Sequence, residues 1–455
     1  MILNGWRIRM KKDKTQNGIH YRNSFRMISL GFLILVLSGA LLLMLPISSQ
    51  DRSVTPFRDT LFTAISASCV TGLVVRDTAT HWSLFGQAVI LTLIQIGGMG
   101  VITIGLMITR LSGKKIGLWF RGTMQDSISA PNVGGILQLT KFILKMTAAI
   151  ELTGAVLLYP VFCREFGPIK GIWYSVFHSV SAFCNAGFDL MGVREQFSSL
   201  TTLGSNAYAN SVIMLLIITG GIGFLTWDDI IQYKFRFKKY RLQTKMVLVT
   251  SGLLIILPAL FFFFAEYTDE PMKERILHSL FQSVTARTAG FNTSDFTKMS
   301  EPSALIMTVL MLIGGCSGST AGGMKTSTIA VLFLAAMSVI RRKNDVECFK
   351  RRISEDTIRT AGAILFMYLT LFLSTGIAIS MIESLPLISC LFETGSALGT
   401  AGLTLGITTS LSLPSHIILM LLMFAGRVGA LTLIYAAFSS HNGIARLPQE
   451  KITVG

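Results

Sequence analysis

Four short segments of this sequence set a glycine behind small or polar residues. They read Cys69-Val70-Thr71-Gly72-Leu73, Cys184-Asn185-Ala186-Gly187-Phe188, Arg287-Thr288-Ala289-Gly290-Phe291 and Gly399-Thr400-Ala401-Gly402-Leu403. Their glycines lie 115, 103 and 112 residues apart, a near-constant period that marks an internal repeat. The chemistry open to such segments is that of backbone carbonyls. Glycine permits positive φ, so neighbouring carbonyls can be turned toward one axis. A ring of carbonyl oxygens can then replace the hydration shell of a cation. A single glycine could equally well end a helix. Four in register, each after a helix too short to span a bilayer, favour the ring.

Those short helices are the second repeated feature. Residues 57–68, 172–183, 275–286 and 387–398 are apolar, periodic, and end in small and polar side chains. At about 10–14 residues such a run reads as re-entrant. Its C-terminal end, negative by the helix dipole, can face a cation. An extended loop at membrane depth is tolerated only inside protein or beside a water-filled cavity. Four of them imply a shared central axis.

The rest of the chain must place these loops in a bilayer. Its 455 residues have a mean hydropathy of +0.60 and only 14% charge, against about 25% in soluble domains. Apolar runs cover 27–46, 84–109, 142–162, 210–227, 246–265, 304–338 (with a polar break), 360–382 and 415–438, each long enough for the ~20 residues of a crossing. The expected fold is an all-α integral membrane protein. Four helix–pore half-helix–filter loop–helix units, at 1–110, 111–240, 241–345 and 346–455, would surround a pseudo-fourfold pore with eight crossings.

Charge placement orients the chain. With residue 1 inside, the cytoplasmic segments hold 28 Lys/Arg and 9 Asp/Glu, and the opposite loops hold 10 and 14. This positive-inside asymmetry puts both termini in the cytoplasm of a multi-pass cell-membrane protein. It also accounts for the net charge of +16 without nucleic acid. The first apolar run lacks a small-residue cleavage pattern and reads as a retained helix. The six cysteines form no C-x-x-C pair, so no metal knuckle or disulfide framework is indicated.

The run 304–338 is broken by Gly314-Gly315-Cys316-Ser317-Gly318-Ser319-Thr320-Ala321-Gly322-Gly323. Each glycine weakens a helix by about 1 kcal/mol relative to alanine. The segment should therefore unwind at mid-membrane, beside a cavity under the third filter loop. Close packing through small residues is the simpler alternative. The spacing Gly318…Gly323-Met324-Lys325-Thr326 is similar to a phosphate loop, but Met324 separates glycine from lysine and no strand precedes it. No nucleotide site is expected on this chain. Glu151, Lys325 and Arg427 are the ionisable residues left within spans, where a charge costs roughly 2.5–3.5 kcal/mol on insertion scales. Arg427 would repel a permeant cation, and is expected to reach carbonyls or hydroxyls of 314–323. Lys325 is expected at the cytosolic edge of the break. Glu151 reads as a helix–helix hydrogen-bonding group, His178 and His278 as packing groups, and Phe261–Phe264 as lipid-facing.

In these residues the chain resembles the Trk/Ktr/HKT superfamily of potassium transporters, over essentially its whole length. It looks most like the Ktr-type bacterial membrane subunit. The resemblance implies potassium uptake through a filter lined by Val70, Thr71, Gly72, Asn185, Ala186, Gly187, Thr288, Ala289, Gly290, Thr400, Ala401 and Gly402. It implies an intramembrane gate of Gly314, Gly315, Ser317, Gly318, Ser319, Thr320, Gly322, Gly323 and Lys325, with Arg427 near it. It also implies a homodimer partnered by a cytosolic nucleotide-binding regulatory ring. In the family a serine at the first filter glycine goes with sodium preference, so Gly72 favours K+ over Na+.

Other functions fit less well. Alternating-access transporters usually join two inverted halves. Here four units start on the same side of the membrane, which favours a pore, although sodium dependence stays open. A sodium-selective pore or a cation-coupled secondary transporter is the alternative reading. An enzyme would need convergent ligands or nucleophiles. The sequence has no His/Glu cluster at metal spacing, no G-x-S-x-G elbow, and no aspartate pair within spans. The basic loops 234–245 and 341–352 are the expected docking face for the regulatory ring.

Overall fold

A computed structural model of the chain describes residues 26–100 and 135–429, with 103, 122, 123 and 125 between them. The expectations for the C-terminal ends of runs 84–109 and 415–438, and for the basic segments 1–25, 110–134 and 439–455, lie outside the described residues.

The described chain is almost wholly helical. In order come α1 (Arg26–Met44), α2 (Phe57–Ser68), α3 (Leu84–Met99), α4 (Ile136–Phe166), α5 (Pro168–Phe183), α6 (Ala207–Gly221) and α7 (Phe224–Tyr233). Then follow α8 (Leu242–Ala265), α9 (Met272–Thr285), α10 (Glu301–Leu312), α11 (Thr326–Ile340), α12 (Glu355–Glu383), α13 (Leu387–Gly399) and α14 (Leu413–Val428). A small hairpin, β1 (Glu347–Cys348) with β2 (Arg351–Arg352), joins α11 to α12.

Among the described residues, four helices are long and apolar enough to cross a membrane: α1, α4, α8 and α12. They become five if α6 and α7, bent by 99° at their junction, count as one span. Shorter apolar helices occupy the other runs. The long helices carry large apolar residues outward, among them Ile34, Val156, Phe264 and Phe366. In water such patches would be a liability; in lipid they are ordinary. The protein is a multi-pass membrane protein. Phe262 departs from the lipid-facing reading of 261–264, because it is fully buried against Met307 and Phe392.

The half-helices α2, α5, α9 and α13 fall where the sequence predicts them. Each begins at a proline: Pro56, Pro271 and Pro386 are N-cap residues, and Pro168 opens α5. Proline fixes φ and needs no N–H partner at a helix start. Three of their ends repeat as well. Val70, Asn185 and Thr400 each donate N–H to the carbonyl three residues back, at 3.1 Å. The next residues, Thr71, Ala186 and Ala401, donate five back at 2.8 Å. This is a Schellman closure. Its left-handed residue is Val70 (φ 57), Asn185 (φ 57) or Thr400 (φ 53). The helix is thus ended two residues before the glycine, which leaves the glycine for another purpose.

The run 210–227, read as a plain crossing, is instead bent at Gly223, which takes φ +93. Gly100 and Gly429 end α3 and α14 at φ 86 and 93. Each follows a glycine packed on the end of a half-helix. A Cβ on Gly97 would lie 1.9 Å from the carbonyl of Ser68, one on Gly220 1.8 Å from that of Phe183, and one on Gly426 2.1 Å from that of Leu398. Only glycine lets α3, α6 and α14 approach α2, α5 and α13 so closely.

Candidate functional site

The four filter segments converge. Gly72, Gly187, Gly290 and Gly402 line one cavity of about 130 Å³, together with Asp77, Asp189, Asn292, Thr404 and Thr408. Their order around it is that of the chain. A Cβ built on Gly72 would meet Ala186 O at 2.5 Å. One on Gly187 would meet Ala289 O at 2.8 Å, one on Gly290 would meet Ala401 O at 2.7 Å, and one on Gly402 would meet Thr71 O at 2.1 Å. Each glycine therefore abuts the carbonyl just before the next glycine, and the fourth closes on the first.

The backbone repeats with it. The glycines take φ of 94, 70, 79 and 79, and the residues two before, Val70, Asn185, Thr288 and Thr400, take 57, 57, 71 and 53. Between them Thr71, Ala186, Ala289 and Ala401 keep negative φ. Three of the four left-handed non-glycines are β-branched, a conformation that costs of order 1–3 kcal/mol. Strain repeated at one register is held by its surroundings. The Ser66 hydroxyl accepts from Gly72 N–H at 3.1 Å, while Ser181 donates to Phe188 O at 2.7 Å and Thr285 to Phe291 O at 2.5 Å. The hydroxyls of Thr71, Thr288 and Thr400 are buried without a partner among the described residues. Buried polar atoms are rarely left so, and such oxygens suit a desolvated cation.

Beside the ring lies the break between α10 and α11. Residues 313–325 leave the helix, pinned by a bridge between Ile313 and Met324. Cys316 N–H donates to Gly221 O at 3.0 Å, and the Thr320 hydroxyl to Phe183 O at 3.0 Å. Phe224 N–H donates to Gly318 O at 2.8 Å. A Cβ on Gly322 would strike Thr400 Oγ1, and one on Gly323 would strike Gly399 O. The break thus lies against the ends of two half-helices and the start of the fourth filter segment. Lys325 folds back, donating to Ala321 O at 2.8 Å and Gly322 O at 3.3 Å. Arg427 donates to Thr320 O and Gly97 O, and to Gly98 O at 2.9 Å.

Other charged and polar groups have structural partners. Gln95 on α3 donates to Glu151 on α4 at 3.0 Å. His178 bonds Tyr174 O at 2.7 Å, accepts from Leu190 N–H at 3.3 Å, and stacks on Phe162. His278 pairs with Glu270 at 2.7 Å. The basic loops 234–245 and 341–352 are brought together, with the rings of Phe237 and Phe349 6.0 Å apart. Sequence reasoning missed the starting prolines, the left-handed residues, and the glycines at 97–100 and 220–223, while the small residues around Arg427 do allow the close approach their size suggests. The signal was present as Gly-Gly-Met-Gly at 97–100 and Gly-Gly-Ile-Gly at 220–223, with Gly-Arg-Val-Gly at 426–429 as their counterpart.

At the cavity wall, Asp77 accepts N–H bonds from Ala79, Thr80 and Phe197 at 2.9–3.0 Å. Asp189 sits beside it, beyond the second filter segment. Burial pushes the Asp189 carboxyl up to about 7, against the pull of the Met191 N–H, and the Asp77 charge adds to the rise. Asp189 therefore gains its charge at a higher pH than a free carboxyl does. An anion at the cavity attracts cations. The half-saturating cation concentration should be lower at pH 8 than at pH 6, and Asp189→Asn should flatten that difference; a profile unchanged by the substitution would remove Asp189 from the account.

The chain matches the cation transport protein family TrkH over residues 5–444. It is 39% identical over 442 residues to the potassium/sodium uptake protein NtpJ of Enterococcus hirae, covering 94% of this chain and 97% of that one. It is 36% identical over 452 residues to the Ktr system potassium uptake protein B of Bacillus subtilis, covering 98% and 100%. The crystal structure of the potassium transporter TrkH from Vibrio parahaemolyticus shares the fold, with a TM-score of 0.70 at 18% identity over 91% of this chain and 84% of that one.

Proposed function

The chain belongs to the TrkH family of cation transport proteins, and we propose that it takes up potassium through a ring of backbone carbonyls at Gly72, Gly187, Gly290 and Gly402. The observation that carries this reading is the closure of the four glycines in chain order. Residues of alternating hand turn successive carbonyls to one side, as a coordinating path needs. The relatives' names supply the ion: both take up potassium, and one also names sodium.

In this reading four units, 1–110, 111–240, 241–345 and 346–455, surround the path, and eight crossings put both termini in the cytoplasm. A hydrated cation enters the cavity beside Asp77 and Asp189 and sheds water onto carbonyls of Val70 to Gly72 and their counterparts. The inward-negative potential supplies about 2.3 kcal/mol per charge per 100 mV. Residues 314–323, with Lys325 and Arg427, then form the gate. The glycines leave room only for backbone, and the lysine and arginine donate to carbonyls of the break. Two copies form the membrane unit. A cytosolic nucleotide-binding ring docks on the basic loops 234–245 and 341–352.

The test is rubidium or potassium flux into proteoliposomes with an inside-negative potential. Uptake should be saturable and should favour potassium over sodium at matched gradients. Equal permeation of both ions would overturn the filter reading, and potassium entry only against a counter-transported ion would favour a coupled carrier.

A further inference from the structure

We propose that Arg287 is a positioning residue that ties the third filter strand to the membrane break at Cys316 and so holds one end of residues 313–325 in place. This rests on the reading of that break as the gate. At the position before the left-handed residue the other repeats carry Cys69, Cys184 and Gly399, all neutral. The third repeat alone places a charge there. Arg287 is buried, and no carboxylate pairs with it among the described residues.

Its partners are neutral and come from two other elements. The guanidinium donates to the Ser251 hydroxyl on α8 at 3.0 Å and reaches the Cys316 sulfur at 3.9 Å. The Ser251 hydroxyl and the Cys316 sulfur are 3.5 Å apart, and Thr326, at the start of α11, donates to that sulfur at 3.2 Å. A buried charge without a counter-ion depends on the neutral acceptors it has, and the Arg287 Nε finds none among the described residues. Removing either side therefore displaces the other.

The break is consequently gripped at separate points by cations. Arg427 holds Thr320 from α14, Lys325 holds Ala321 and Gly322, and Arg287 holds Cys316 from the filter side. Of these, Arg287 alone is covalently continuous with the filter, being followed directly by Thr288-Ala289-Gly290. A shift of that strand is passed to Cys316, and movement of the break is passed back.

The full chain in proteoliposomes can be labelled with N-ethylmaleimide, with modification read at each cysteine by mass spectrometry. Arg287→Gln should label Cys316 about tenfold faster, the change given by ~1.4 kcal/mol of lost hold. Cys390, buried on α13 in the fourth repeat, should keep its wild-type rate. Arg287→Lys, which retains a charged donor, should recover most of the protection. On the same vesicles, maximal potassium flux should rise in step with Cys316 labelling. Unchanged Cys316 labelling would overturn the proposal, as would a parallel rise at Cys390, which marks general loosening. A wild type that carries no potassium would sink the transport reading, while the labelling would still decide Arg287.

Discussion

Gly402→Ala should lower potassium flux by more than about 100-fold, the equivalent of ~2.7 kcal/mol. Two effects combine. Gly402 takes φ +79, where a side chain costs roughly 1–2 kcal/mol. Its new methyl would also lie 2.1 Å from Thr71 O and 2.9 Å from Gly72 Cα. Nothing flexible stands there to yield, since both atoms are backbone. The ring must open at the junction of the fourth and first segments, or the Thr71 carbonyl must turn away. Gly252→Ala is the control, because Gly252 lies within α8 and a Cβ there meets nothing within 4 Å. It should keep wild-type flux. Equal flux in the two variants would show that the ring is not on the ion path.

Arg427→Gln should act in the opposite direction and raise maximal flux by about tenfold or more. Arg427 donates to three carbonyls on two elements, Thr320 in the break and Gly97 and Gly98 at the end of α3. Hydrogen bonds to a charged group are worth about 1.5–3 kcal/mol each. Glutamine keeps part of the reach but not the charge. The substitution thus frees the break from α3 and α14 and removes a cation that opposes the permeant one. Flux is best compared at saturating potassium, where the filter is filled in both proteins. A variant with reduced flux and a lowered melting temperature would make Arg427 a purely structural tie.

How legible all this was in the sequence depends on the range of the interaction. The four glycine segments could be picked out directly, because a glycine behind small or polar residues recurs once after each short helix. The break at 314–323 was legible from its glycines. The circular order of the glycines was not, since Gly402 meets Thr71 across most of the chain. The bend at Gly223 was missed because 210–227 reads as one apolar run, and hydropathy does not register a change of direction. Arg287 stood in plain view within its segment. Its partners, Ser251 and Cys316, lie 36 and 29 residues away, and no periodicity links them. The glycines at 97–100 and 220–223 were hidden for a different reason. Small residues within a crossing look like ordinary helix packing until the half-helix end that presses on them is known.

The central claim is that the ion is selected on the ring. It is tested most directly by potassium and sodium flux through Gly72→Ser under matched gradients. A Cβ at Gly72 would lie 2.5 Å from Ala186 O, and the hydroxyl would add an oxygen where the ring has none. The account predicts potassium-selective flux in the wild type and selectivity eroded toward sodium in the variant. Strong flux whose selectivity ignored the serine would contradict it and place the ion path elsewhere.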